Sequence, residues 1–169
     1  MRKSIFALLL LAGCSGGESD KQGSAQSGAA GQGQTASAGP ITTLAGLYEG
    51  GETGRMHQMC MIDDRQGGTR FGLVVWGAND HSCSGSGNAT RTGDILRLAM
   101  AGDEACTIDT KISGATVTVP AAIPDGCAYY CGARASLKEA RLAQIATGAE
   151  AAGRAKDLVG EPLCAGQSG

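Results

Sequence analysis

The chain has 169 residues, with 14 basic and 16 acidic side chains, a net charge of −2 at neutral pH, 28 glycines, seven cysteines and a single tryptophan. No basic stripe is present to neutralise phosphates, which argues against a nucleic-acid binder of the ordinary electrostatic kind. An odd number of thiols asks for one cysteine whose fate differs from the rest.

Arg2 and Lys3 precede the apolar run "SIFALLLLAG", and together residues 1–13 have the charged start, short hydrophobic stretch and small-residue end of a secretory signal peptide. The run is far shorter than the about 20 apolar residues needed to span a bilayer. Leu11-Ala12-Gly13-Cys14 resembles the lipobox of bacterial lipoproteins. That resemblance implies cleavage before Cys14, a diacylglycerol on its sulfur, and acyl chains such as palmitate that fix the protein in membrane lipid. Each buried acyl methylene contributes about 0.8 kcal/mol, and two or more chains hold a protein where one does not. Ser15 is similar to the following residue of lipoproteins that are released to the outer membrane, so the expected location is the cell envelope, on the outer membrane facing the periplasm. Removal of Arg2 and Lys3 leaves twelve basic against sixteen acidic side chains, a balance of −4.

The lipidated cysteine and a tether occupy residues 14–40. Between 15 and 39 there is no aromatic and no branched aliphatic residue. Such a stretch cannot bury enough apolar surface to offset the entropy of ordering it. As a Gly/Ser/Ala/Gln coil it reaches roughly 25–30 Å.

A β domain is expected over 41–169. "AGLYEGG" ends on a turn, "RMHQMCMID" alternates as a half-buried strand with no cleanly polar face, and "TRFGLVVW" is a short apolar run rich in Val and aromatics. In "ILRLAM", Leu96, Leu98 and Met100 face one way while Ile95, Arg97 and Ala99 face the other. Turns at Gly102-Asp103 and Ser113-Gly114 then separate "ACTIDTKI" and "ATVTV". Strands repeating at about 8–12 residues with turn signals between them predict an antiparallel meander, forming a small sandwich or a partly open barrel. Residues 136–146 are compatible with either a strand or a helix beginning at Ser136. A C-terminal helix is expected after Thr147, whose hydroxyl and Glu150 fit a capping box, with Gly160 and Pro162 ending it.

If Cys14 carries lipid, then Cys60, Cys83, Cys106, Cys127, Cys131 and Cys164 remain, an even set that export would oxidise to three disulfides in any of 15 pairings. They supplement a core short of large side chains, since one Trp, one Phe and three Tyr follow Ile41. Cys60–Cys83 is the pairing expected first, at about 3 kcal/mol in the chain-entropy model. Cys164 is expected to pin the C-terminal helix to the sheet.

Catalytic and metal motifs fail on inspection. His57-x2-Cys60 and His81-x-Cys83 have zinc-ligand types but no completing pair, and both histidines are read as solvent-facing. A cleft lined by either histidine with a carboxylate in reach would instead favour an enzyme. Three residues separate Cys127 from Cys131, not the two of a redox motif. Asp63-Asp64 reads as a solvated turn. "CSGSGNATR" lacks the glycine pattern of a nucleophile elbow and the Gly-Lys of a phosphate loop, leaving Ser84, Gly85, Ser86 and Gly87 as an exposed loop available for binding. The anchor, the disulfides and Ser84-Gly85 resemble the membrane-bound inhibitors of C-type lysozyme, in which such a loop enters the enzyme cleft; the aromatic residue expected soon afterwards is replaced by Asn88-Ala89-Thr90. "CAYYCGARASL" is similar to the cysteine-rich end of small, uncharacterised proteobacterial envelope lipoproteins, a resemblance that implies no activity. The expectation is thus a non-enzymatic binding module without cofactor, metal or nucleic acid, held by membrane lipid at Cys14 and engaging a periplasmic protein or a cell-wall fragment; inhibition of lysozyme through Ser84–Gly87 is the alternative.

Overall fold

A computed structural model describes residues 39–102 and 105–164. The expected signal peptide, Cys14 and nearly all of the expected tether lie outside the described residues. Among the described residues, eight strands follow one another: β1 (Gly46–Glu52), β2 (Arg55–Asp63), β3 (Thr69–Trp76), β4 (Ser82–Thr92), β5 (Ile95–Met100), β6 (Thr107–Ser113), β7 (Thr116–Thr118) and β8 (Arg141–Thr147), with a four-residue helix α1 (Ala149–Ala152) after them. Each strand pairs antiparallel with the next, and β8 pairs with β1, so the sheet closes into a barrel in simple sequence order. Of the two architectures the sequence allows, the barrel is the one realised, and it closes fully.

Period-two patterning builds the inside. Leu96, Leu98 and Met100 on β5 and Ile108, Thr110 and Ile112 on β6 are buried, while Arg97 and Asp109 face outward directly opposite each other. Two-residue turns at Gly93-Asp94 and Gly114-Ala115 link β4 to β5 and β6 to β7; Gly93 (φ 63°) and Gly114 (φ 59°) adopt the left-handed backbone such hairpins need. Met59, Met61, Phe71 and Tyr48 fill the interior, so the barrel is a packed core. The one buried interior hydroxyl of β6, on Thr110, donates to the Leu96 carbonyl at 2.7 Å. Residues 41–45 close one end, with Ile41 in the core and its amide on the Gly114 carbonyl. There the Tyr48 hydroxyl donates to the Leu44 carbonyl (2.8 Å), and Gln144 Nε2 donates to the Thr43 carbonyl and the Tyr48 oxygen. Residues 119–140 close the other end with Val119, Cys127 and Leu137.

A second apolar cluster lies on the outer face. Leu47, Cys60 and Ile62 are covered there by Ala151, Ala152, Ala155 and Cys164, which is why β2 shows no polar face. Gly72 belongs to the same surface, since a Cβ on it would meet the Leu163 carbonyl oxygen at 2.9 Å.

Three disulfides form: Cys60–Cys164, Cys83–Cys131 and Cys106–Cys127. The expected Cys60–Cys83 pairing is therefore corrected. Cys60 is on the outward phase of β2 and Cys83 on the inward phase of β4, so their sulfurs lie on opposite faces of one sheet. Cys164 does fasten the C-terminal segment to β2, as expected. The helix is shorter than expected. Thr147 is still in the ladder opposite Gly46, so the cap position falls to Gly148, no side chain caps it, and Gly153 follows one turn later. Residues 136–146 resolve into a turn followed by β8.

Candidate functional site

The strap 119–140 crosses the end of the barrel and is held at two points. Cys131 is bonded to Cys83 on β4, and Cys127 to Cys106 just before β6. The Gly132 amide adds a hydrogen bond to the Ser82 carbonyl, and the Tyr130 hydroxyl donates to the Ala101 carbonyl at 2.9 Å. Between these staples the backbone leaves a cleft of about 300 Å³, with Ile123 and Leu137 as apolar walls and Asp125, Ser136 and Lys138 as polar ones. That volume is at the lower limit of ligand pockets. Ser136 Oγ accepts from the Lys138 amide, fixing one rim. Tyr129, on the same strap, is 82% exposed and packs edge-on against Tyr130 with ring centroids 5.3 Å apart.

A second cleft of about 330 Å³ opens beside it, lined by Gly51, Glu52, Arg55, His57, Trp76 and Gly77. The register Glu52↔Arg55 of the first hairpin and the end of β3 bring these residues together. Arg55 Nη2 lies 3.0 Å from Asp80 Oδ1, and Nη1 reaches the Gly77 carbonyl. His57 Nδ1 accepts the Trp76 amide at 3.1 Å, so the neutral ring carries its proton on Nε2. Burial pushes the His57 pKa below its ordinary value. The clefts abut where Gly77 packs on the strap: a Cβ there would meet Ala135 Cα and the Arg134 carbonyl oxygen at 2.7 Å.

The proposed loop Ser84, Gly85, Ser86, Gly87 is not a loop. It is the middle of β4, with Ser84 opposite Val74, Gly85 opposite Leu73, Ser86 opposite Gly72 and Gly87 opposite both Phe71 and Met100. Its glycines face inward for packing: a Cβ on Gly85 would strike the Met100 methyl and stand 3.0 Å from the Tyr130 ring, and one on Gly87 would strike the Ala99 carbonyl. Small residues that looked like a flexible turn are strand residues that make room for large neighbours. An insertion mechanism through Ser84–Gly87 has no protruding segment to use.

The histidines are half-buried rather than solvent-facing, and the cysteines beside them are bonded elsewhere. On β2, His57 is in the inward phase and Cys60 in the outward phase, so they could not share an ion. Among the described residues no cluster of three or more metal-ligating side chains occurs. Cys127 and Cys131 bond to different partners, not to each other. Asp64 lies in the expected turn, its Oδ1 accepting the Gln66 and Gly68 amides, whereas Asp63 is the last residue of β2 and accepts from the Thr69 hydroxyl. His57 shares a cleft with Glu52, the kind of pairing that would favour an enzyme; its Nδ1 accepts the Trp76 amide, and among the described residues no ion pair joins it to a carboxylate. Sequence reasoning passed over Trp76, Arg55 and Glu52; the one signal available was a lone indole at the end of a strand.

Comparison with protein-family models, with curated proteins and with solved structures finds no match to this chain.

Proposed function

We propose that this protein is a lipid-anchored envelope lipoprotein, held in the outer membrane through acylated Cys14, whose barrel is a non-enzymatic binding module facing the periplasm. The carrying observation is the disulfide-stapled strap, which holds a cleft of ligand size rigid on a barrel whose own interior is filled. Rigidity of this kind lowers the ordering cost of binding. Three bridges are chemically stable in an oxidising compartment and not in a reducing one, which supports export. No group in either cleft is set up as nucleophile and base, and the partner classes that suit such a surface are a periplasmic protein or a cell-wall fragment.

The test is photocrosslinking in intact envelopes, with the reactive group placed at Ala128 on the strap and, as control, at Asp94 on the far end of the barrel. A discrete adduct from the strap and none from the control is expected. Equal labelling at both ends, or none from the strap, rules against this reading.

A further inference from the structure

We propose that the cleft between the first hairpin and the end of β3 binds an uncharged saccharide ring, with Trp76 as its stacking platform and Glu52, Arg55 and His57 as its polar contacts. This deepens the binding-module reading and rests on it.

The chemistry of the lining selects the ligand. Trp76 supplies the apolar plate and, with its indole N–H, one rim donor; it hydrogen-bonds to no described residue through that group. A tryptophan of this kind suits a ligand apolar on one face and wet at its edge, which a pyranose is. His57 carries a free Nε2–H because Nδ1 is spent on the Trp76 amide. Arg55 is already oriented by Asp80 and the Gly77 carbonyl, so its remaining N–H groups are fixed before any ligand arrives. Glu52 is the acceptor; it forms no hydrogen bond or ion pair among the described residues. Donors and an acceptor around one aromatic face match hydroxyl and acetamido groups, which both give and take hydrogen bonds.

Charge narrows the choice. Asp80 neutralises Arg55, leaving the Glu52 carboxylate in excess, so a phosphate, a sulfate or an acidic sugar would meet net repulsion. An ammonium group could use Trp76 and Glu52, but Arg55 and His57 would then face it as donors with nothing to accept. The floor is backbone: Gly51 (φ 80°) turns the chain away, and a side chain there would crowd the His57 ring at 3.1 Å.

Trp76 is the only tryptophan in the chain, so its emission reports on this cleft alone. The full-length acylated protein, in a zwitterionic detergent without a sugar headgroup, is titrated with chitotetraose, the neutral tetramer of N-acetylglucosamine. A saturable emission change is expected at micromolar to millimolar ligand, with the affinity of Glu52→Gln and of Arg55→Ala reduced about tenfold. Lys111→Ala, far away on β6, should bind as wild type. Trp76→Phe, followed by calorimetry with its fold checked by circular dichroism, should lose binding; should it misfold, the exposed Glu52→Gln decides. No saturable change up to about 10 mM overturns the proposal. So does binding unaffected by Glu52→Gln and Arg55→Ala, or binding of trilysine in place of the saccharide. Crosslinks retained at Ala128 after such a failure would leave the binding module standing and remove only the saccharide.

Discussion

His57 and Tyr48 are side chains whose ionisation the fold opposes. The unfolded chain protonates His57 near its ordinary value of 6.5, whereas burial holds the folded value lower. The stability this contributes is complete above about pH 6.5 and is lost as pH falls through the folded value, because the unfolded state then binds the proton first. Protonation also takes away the acceptor of the Trp76 amide. His57→Asn places Oδ1 near the Nδ1 position without a titrating group, so its melting temperature should fall less than that of wild type between pH 7 and about pH 5; equal slopes in thermal melts would contradict the assignment. Burial raises Tyr48 well above 10.0, with Arg91 opposing as the smaller effect. Here the contribution is complete below about pH 10 and is lost as pH rises beyond it. Tyr48 phenolate absorbance should therefore appear only with loss of the β circular dichroism signal, and a three-tyrosine absorbance change from a barrel still intact would be contrary. Tyr48→Phe deprives Gln144 and the Leu44 carbonyl of a partner, and chemical denaturation should show a loss of about 1–3 kcal/mol.

At the scale of elements, β4 carries the sharpest expectation. Gly87→Ala drives a methyl into the Ala99 carbonyl of the neighbouring strand, at a cost of about 1–3 kcal/mol or more. Ser86→Ala, one residue away on the outer face, should stay within about 0.5 kcal/mol. If urea denaturation finds the two alike, the strand is in the wrong phase. The staples differ by ring size: Cys60–Cys164 spans 104 residues and Cys106–Cys127 spans 21. Replacing both members by alanine should cost about 5 kcal/mol for the first and about 3 kcal/mol for the second, in the chain-entropy model. Non-reducing peptide mapping checks the pairing itself, and any Cys60–Cys83 peptide would refute it.

For the whole molecule, closure and filling decide where a ligand can go. Among the described residues β8 joins β1, so the sheet closes without an end strand, and Tyr48, Phe71, Met59, Met61 and Met100 fill its interior. The strap end holds two clefts, while two further depressions, of about 410 Å³ along Thr90, Thr92, Ile95, Arg97 and Asp109 and of about 310 Å³ beside Thr42 and Gln144, lie toward the opposite end. The proposed anchoring is a separate matter, since Cys14 lies outside the described residues. Cys14→Ala should abolish palmitate labelling and move the protein from the membrane pellet to the soluble fraction; retention in the pellet would remove the lipid from the reading.

Patterning by itself determined β5 and β6, where the barrel wall buries every second residue, and it marked β2 and β3 as short apolar runs whose outer face is also covered. It also determined that Cys164 must reach back to the sheet. Only the tertiary structure decided the rest. Gly85 and Gly87 look alike in a turn and in a crowded strand, and the difference is the Met100 and Tyr130 atoms that meet Gly85 and the Ala99 backbone that meets Gly87, all arriving from elsewhere in the chain. Disulfide partners depend on which face of the sheet each thiol occupies, which register fixes and spacing does not. The Trp76 cleft joins residues from two hairpin arms and a third strand, so its chemistry exists only once β1, β2 and β3 are in register.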